Sequence, residues 1–452
     1  MKKRTKQLLA LFLGIAMVFS MTACSTGNSV STDASDATEK TSNTDTSNST
    51  GSKEKNTQDS TSTLRVLNWG STEEQKIAEN AIARFNEIYP NVTVQQTCVP
   101  VESWSDFIQK WVTMTTSGEA PDIINLGLEA VQMAAANDLL LPIDDIVSAD
   151  DELSKKKSDY ATSLIDGFTV DGTLYGLPSG TQTMVIYYNK KFFDEKNVAY
   201  PKDGWSWDEF LETAKTMTYE EDGKKIYGFG LSSSYFQLTP WWTTNSAYPT
   251  TSDYSAPTLN SKEMVESATF LNSMVTENVT PDPISSDVYT MFSAKQLAMV
   301  GAGRWVLNTW QDAGLTTDDF DLVQWPVNTK EGSVYGGSAW CIGSKTQNKD
   351  MAIQLLKEMV SDKTLAANAA GGQQVPPTET LALDPSIMGT VPDNIDGIWK
   401  AVTISSPVAA PTYFGSLEQS LLIGMEQVFS GALSPQDALD QAQSEVESAI
   451  DK

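Results

Sequence analysis

The sequence predicts an α/β protein of two lobes, each a mainly parallel sheet flanked by helices, and three observations carry that prediction. The 452 residues are enough for two separate cores. From Leu64 onward, short apolar runs alternate with amphipathic helical stretches, the pattern of helices laid over a sheet. The stretch Gly172 to Phe193, GTLYGLPSGTQTMVIYYNKKFF, passes from turn residues through Pro178 into an apolar run and a basic-aromatic cluster. A chain leaving one lobe and entering the next would read this way. Pro178 to Thr181 is then the expected crossing, and Ile186 to Lys190 the first strand beyond it.

Residues 1–23 read as an export signal. Lys2, Lys3, Arg4 and Lys6 precede the apolar run Leu8 to Phe19, which is short for a membrane span. Met21-Thr22-Ala23-Cys24 resembles the lipoprotein signal in which the cysteine takes the lipid; an ordinary secretory signal with an incidental cysteine is the alternative. Residues 24–63 are rich in serine and threonine and nearly free of apolar side chains, so they cannot offset their ordering entropy and read as a disordered tether. The expected location is the extracellular face of the cell membrane, with membrane contact through the lipid anchor only.

The globular part opens with a strand at Leu64 to Asn68. Ser71-Thr72-Glu73-Glu74 is a capping box that starts a helix running to about Tyr89, its inner face Ala78, Ala81, Ile82 and Phe85. Asn91 to Cys98 is a second strand. Ser103 to Asp106 opens another helix, and Ile123 to Leu126 is a short buried strand. Beyond the crossing, Ser206 with Glu209 caps a helix, and Tyr227 to Gly230 is a strand. Pro240-Trp241-Trp242 is assigned to a polar loop. Lys262 to Asn278 is helical, Leu297 to Val300 and Asp321 to Pro326 are strands, Gly332 to Gly337 is a glycine-rich passage, and Ala339 to Ile342 is a strand. Helices follow to the end, the last capped at Ser434-Pro435 with Leu439, Ala442 and Val446 inward.

Composition excludes much. A net charge of −27 argues against nucleic acid or an anionic membrane surface as partner of the folded part. With no histidine, Ser-His-Asp and Cys-His catalysis and histidine-ligated metal sites are ruled out. Three widely spaced cysteines make neither a zinc ribbon nor an iron–sulfur site. No metal, cofactor or catalytic residue is therefore expected. Twelve tryptophans are a surplus that points to a binding cleft.

Motifs in a fixed order sharpen this. Ala120-Pro121-Asp122-Ile123-Ile124, Leu139 to Asp144, Leu174 to Pro178, Ile186 to Lys190, Trp207 to Phe210, Gly303-Arg304-Trp305 and Gly336-Gly337-Ser338 together resemble the extracellular solute-binding proteins of bacterial ABC importers. The resemblance is to the carbohydrate, maltose-binding-protein-like branch, and spans about Leu64 to Ile450. It implies a two-lobed periplasmic-binding-protein-like fold of type II with the ligand between lobes. The implied N-lobe is 64–178 plus 334–372 and the C-lobe 179–333 plus 373–452. The implied partners are a carbohydrate and the transmembrane subunits of an ABC permease, and a monomer is expected.

The resemblance also implies where a sugar would be held. Such a ligand needs aromatic platforms for its C–H faces and polar side chains for its hydroxyls. Trp69, Ser71 and Glu73 follow the first strand, and Glu129 matches a family carboxylate; Glu73 also reads as a cap partner and Glu129 as a solvated acid. Asp122 reads as structural. Gln182 stands where the family has a carboxylate. Trp241 matches a loop aromatic with Trp242 flanking it, and Trp305 matches the main stacking tryptophan. Arg304, Trp340 and Tyr413 complete the candidates. Trp111, Trp207, Tyr187 and Tyr188 read as core. Cys98 and Cys341 either pair or stay free. Two alternatives stand beside a sugar-binding protein: an extracellular glycoside hydrolase, and a binder of a non-sugar solute.

Overall fold

The structure is a computed structural model that describes residues 62–99, 104–221, 223–372 and 374–450. The leader, Cys24, most of the tether and the Ser103 cap lie outside the described residues. The first strand, β1 (Ser62–Trp69), pairs in parallel with β2 (Val92–Val99) and β3 (Ile123–Gly127). Between β1 and β2 runs the helix Thr72–Ile88. Ser71 Oγ accepts from the Glu74 amide while Glu74 accepts from the Ser71 amide at 2.6 Å, so the box closes through Glu74 and leaves Glu73 out. A short ribbon joins β4 (Thr169–Val170) to β5 (Thr173–Leu174).

Next come β6 (Gly176–Thr183) and β7 (Val185–Asn189), then β8 (Tyr219–Glu221), β9 (Lys224–Gly230), β10 (Leu297–Ala302) and β11 (Phe320–Val323). Last are β12 (Ser333–Ile342) and β13 (Ser405–Pro407). One sheet has the order β13-β12-β3-β1-β2 with β6 on β12; the other has the order β11-β7-β10-β9-β8. Both are mixed: three of the five strand pairs in the first sheet are parallel, and one of the four in the second. In the first, β12 is antiparallel to β3 and β6. In the second, β7 is antiparallel to β10 and β11, and only β9 and β10 run together. Returning strands bring in this reversal, which a strand–helix–strand reading does not contain.

The crossing is sharper than Pro178 to Thr181. Those residues are strand, paired with Gly337 to Ala339 of β12, and Thr181 and Thr183 donate their hydroxyls to the Gly336 and Val334 carbonyls. Met184 alone separates β6 of the first sheet from β7 of the second. The expected lobe limit at 178 therefore falls inside a strand, and β13, expected in the C-lobe, lies in the first sheet. The glycine-rich passage is the front half of β12.

Buried side chains of both sheets and of Met184 between them belong to one hydrophobic cluster. Asp122 accepts from the Arg65 amide at 2.7 Å and from the Thr346 hydroxyl at 2.5 Å, a structural role. Tyr187, Tyr188, Trp111 and Trp207 are buried. Cys98 and Cys341 are free thiols. They sit on β2 and β12, three strand spacings apart at about 4.8 Å each, far beyond disulfide reach.

Candidate ligand cleft

The cleft is built on the face of β6 and β12 that glycines leave low. Gln182 pairs with Gly336 in the antiparallel register, so the Gln182 side chain lies on the face that Gly336 leaves bare. A Cβ at Gly336 would stand 3.3 Å from Phe236, which comes from the helix Tyr235–Thr243 after β9. Phe236 in turn lies 6.0 Å, centroid to centroid, from Trp305, and Trp305 lies 6.3 Å from Tyr289 at 77°. Gln237 donates to the Tyr289 hydroxyl at 2.7 Å and fixes that ring. Trp305 itself folds over Gly303, where a Cβ would come within 2.0 Å of the indole and 2.5 Å of the Thr183 carbonyl. Only glycine permits that approach. Gln182 and Trp305, from opposite sides of the crossing, thus meet one aromatic wall and one flat floor.

A second group gathers where β1 ends. Ser71, Glu73, Glu74, Asn368, Gly371 and Gln374 line a cavity of about 160 Å³. Behind it, Trp69 and Trp340 share a chamber of about 30 Å³ with Asn125, Ser179, Ser338 and Asn368. Asn125 donates to Ser179 Oγ at 3.1 Å, and Ser179 Oγ meets Ser338 Oγ at 2.9 Å. The Trp340 ring is buried, and no protein atom accepts from its Nε1.

Glu129 sits in the first turn of the helix Leu128–Ala136. Although the residue is only partly buried, its carboxyl is enclosed; desolvation pushes it up to about 7, and nearby Glu418 adds to the shift. Glu418 is likewise raised by burial, and both acids bear on Tyr235, raising its phenol further beyond what burial alone does. Tyr413 precedes the helix Phe414–Phe429; burial pushes its phenol up to about 12, with Asp253 adding.

Three expected ligand residues are placed elsewhere. Trp241 and Trp242 are fully buried, not in a loop. Trp241 packs edge-on against Trp207, Phe210, Phe229 and Trp325 at 4.9–6.0 Å. Pro240 lies inside the helix Tyr235–Thr243 rather than ending it. Arg304 is buried and donates to four carbonyls: Ala369 at 2.6 Å, Gln374 at 2.7 Å, Ile387 at 2.9 Å and Met388 at 3.4 Å. Ala369 lies in the last turn of the helix Asp362–Ala370, and Ile387 and Met388 end the helix Pro385–Met388. The carbonyls at the ends of two helices take the donors of both terminal nitrogens of the guanidinium.

Phe236, Tyr289, Gln237, Asn368 and Gln374 were not expected. The signal for Phe236 was present: Tyr235-Phe236 follows a strand and the Ser234 cap, the place where an open sheet exposes a helix start. Tyr289 and Gln374 carry no such mark in the sequence.

A family model described as bacterial extracellular solute-binding protein matches residues 80–391. A galactooligosaccharide-binding protein of Bacillus subtilis is 22% identical over 395 residues, covering 83% of this chain and 86% of its own. Among solved structures, a sugar-binding protein of Xanthomonas citri is 19% identical with a TM-score of 0.75, covering 86% of this chain and 97% of its own. An ABC substrate-binding protein of Listeria monocytogenes in complex with cycloalternan is 21% identical with a TM-score of 0.69, over 86% and 99% of the two chains. These structures share the two-sheet fold, the type II periplasmic-binding-protein architecture.

Proposed function

The chain belongs to the bacterial extracellular solute-binding proteins, and from that premise we propose that it captures a sugar or oligosaccharide between its two sheets. In this reading the loaded protein delivers its ligand to the transmembrane subunits of an ABC permease. The observation that carries the proposal is the wall of Trp305, Phe236 and Tyr289 standing over the glycine floor of β12 beside Gln182. Aromatic faces take the C–H faces of a sugar ring; amides and carboxylates take its hydroxyls. Gln182 both donates and accepts. Glu129, with a carboxyl that titrates at about 7, donates when protonated and accepts when ionised. Ser71 and Glu73 extend the polar lining at the end of β1. The sugar ligands named for the Bacillus, Xanthomonas and Listeria relatives support the same class.

Ligand contacts with both sheets would stabilise a closed state, the differential binding that drives a hinge motion. The lobes in this reading meet at Met184. Export, lipid attachment at Cys24 and a monomeric state belong to the same proposal. A clustered-cation site for a phosphorylated solute is disfavoured, since Arg304 spends both terminal nitrogens on carbonyls.

One observation favours a hydrolase: Glu129 lies close enough to Glu418 to feel its charge, and glycoside hydrolysis uses two carboxylates. Calorimetric titration of the purified protein with a glycan panel, followed by analysis of the recovered sugar, separates the readings. Binding with intact sugar supports the proposal. Cleavage products overturn it in favour of the hydrolase, and binding confined to non-sugar solutes overturns the carbohydrate assignment.

A further inference from the structure

We propose that the polar end of the cleft selects by charge, taking a neutral, hydroxyl-bearing sugar and rejecting the uronate of the same skeleton, with Glu73 as the specificity-determining residue. This rests on the carbohydrate reading above. The cavity of about 160 Å³ at the end of β1 and the chamber of about 30 Å³ behind it are lined in common by Glu74, Ile77, Asn368 and Gln374, so the two adjoin as one recess. The wider part carries Ser71 and Glu73, and the narrower part Ser179, Ser338 and Trp340.

The wider part is a surface of acceptors. The capping box of the helix Thr72–Ile88 closes through Glu74, whose carboxylate takes the Ser71 amide at 2.6 Å, and Glu73 stays exposed with no part in the box. Two carboxylates in the first turn already answer the positive end of the helix, and the Glu74 amide is spent on Ser71 Oγ. This helix start is therefore not the anion site that a first turn can offer. Asn368 spends an amide N–H on the Ser179 carbonyl at 3.1 Å. Among the described residues no lysine or arginine lines either part, and Arg304, which reaches the Gln374 carbonyl, has both terminal nitrogens on carbonyls. A ligand carboxylate brought here would meet two negative charges with no cation to offset them, in a chain of net charge −27.

The narrower part supplies the opposite partner. Trp340 is 5% exposed, and among the described residues no protein atom accepts from its Nε1, which can only donate. Ser179 Oγ and Ser338 Oγ lie 2.9 Å apart, and each hydroxyl can turn to give or to take. A chamber of about 30 Å³ is on the scale of one hydroxyl or one water. A sugar presents hydroxyls that donate and accept at once, so one can accept from Trp340 while its neighbour donates to Glu73. A uronate carboxylate only accepts: it satisfies the indole and sets a like charge against Glu73. Hydrogen-bonding sense and charge therefore favour the same ligand.

The test compares matched neutral and acidic sugars by calorimetric titration of the full chain. The pairs are galactotriose with trigalacturonate of the same linkage, maltotriose with maltotriose oxidised to uronates at its primary hydroxyls, and the tightest neutral ligand of the glycan panel with its own uronate. Glu73→Gln removes the charge in the recess, and Glu87→Gln removes the same charge from the last turn of the same helix. Both side chains are exposed, so neither substitution threatens the fold. At about 0.01 M salt, where the Debye length is about 30 Å, the wild type is expected to hold the neutral member about tenfold or more tighter than its uronate. At about 1 M salt, where that length falls to about 3 Å, the ratio should shrink severalfold. Glu73→Gln should narrow the low-salt ratio by about threefold or more, whereas Glu87→Gln should keep it within about twofold. A uronate bound as tightly as its neutral partner, or a ratio that the two variants change equally, overturns the charge selection and leaves the carbohydrate reading standing. Failure of every sugar, neutral or acidic, to bind the wild type overturns the carbohydrate reading itself.

Discussion

The two ends of the helix Tyr235–Thr243 carry aromatic residues of opposite fate. At its start, Phe236 faces the cleft; at its end, Trp241 and Trp242 are sealed among Trp207, Phe210, Phe229 and Trp325. The same contrast recurs over one peptide bond. Arg304 spends its donors on four carbonyls, while Trp305 beside it keeps a partly open ring. Residue type does not decide between scaffold and site. What decides is whether a side chain's bonding and packing capacity is already used by the protein.

The largest effect that could break this contrast is on stability. Trp241→Ala opens a void in a closed aromatic cluster and should cost about 3–5 kcal/mol in chemical denaturation, with the affinity of the folded fraction unchanged. A loss of affinity without a loss of stability would put Trp241 in the site. Arg304→Met should cost about 3 kcal/mol by stripping several buried carbonyls of their donor, read as a shift of the denaturation midpoint. If its main effect is instead on ligand affinity, the clasp assignment fails. Trp305→Ala should do the reverse, weakening sugar binding by about 1–3 kcal/mol in calorimetry with the melting curve nearly unmoved.

The smallest effect is a pH dependence. Glu129 is raised from 4.5 to about 7 in the folded chain, so the folded state holds the proton more tightly than the unfolded one. The stability tied to that proton is full below pH 4.5 and is lost as pH rises through about 7. Glu129→Gln should flatten this decline and stabilise the protein above neutrality by on the order of 1 kcal/mol, allowing for relaxation around the enclosed group. A wild-type stability curve identical to that of the variant across this range would show that Glu129 is ionised throughout.

Local signals were legible because they are carried by neighbours in sequence. The boxes at Ser71 with Glu74 and Ser206 with Glu209 mark helix starts, and both form. Ile186 to Lys190 and Leu297 to Val300 read as strands from their apolar runs, and the strands formed are Val185–Asn189 and Leu297–Ala302. The pairing of β6 and β13 with β12 was not legible, since it joins segments more than seventy residues away in each direction. Pro240 misdirected the reading of Trp241 and Trp242: a proline inside a helix normally breaks it, but here burial of both indoles holds the last turn. Arg304 resembled a ligand residue because its acceptors, being carbonyls, leave no trace in side-chain identity. In the candidate site, Trp305 and Gln182 were marked by motif order, whereas Tyr289 and Gln374 arrive from segments whose position the sequence does not encode locally.

The single residue between β6 and β7 makes the crossing a matter of parity. Along a strand, successive side chains point to opposite sides, so inserting one residue beside Met184 would swap the two faces of everything downstream in β7. Tyr187, at 0% exposure in the second sheet's core, would exchange sides with Ile186 and Tyr188, or else Gln182 would turn from the floor toward the buried face where Thr181 and Thr183 now lie. Here the chain is counted to the residue, and a length-variant library across this region should recover no functional clones with a single residue inserted beside Met184.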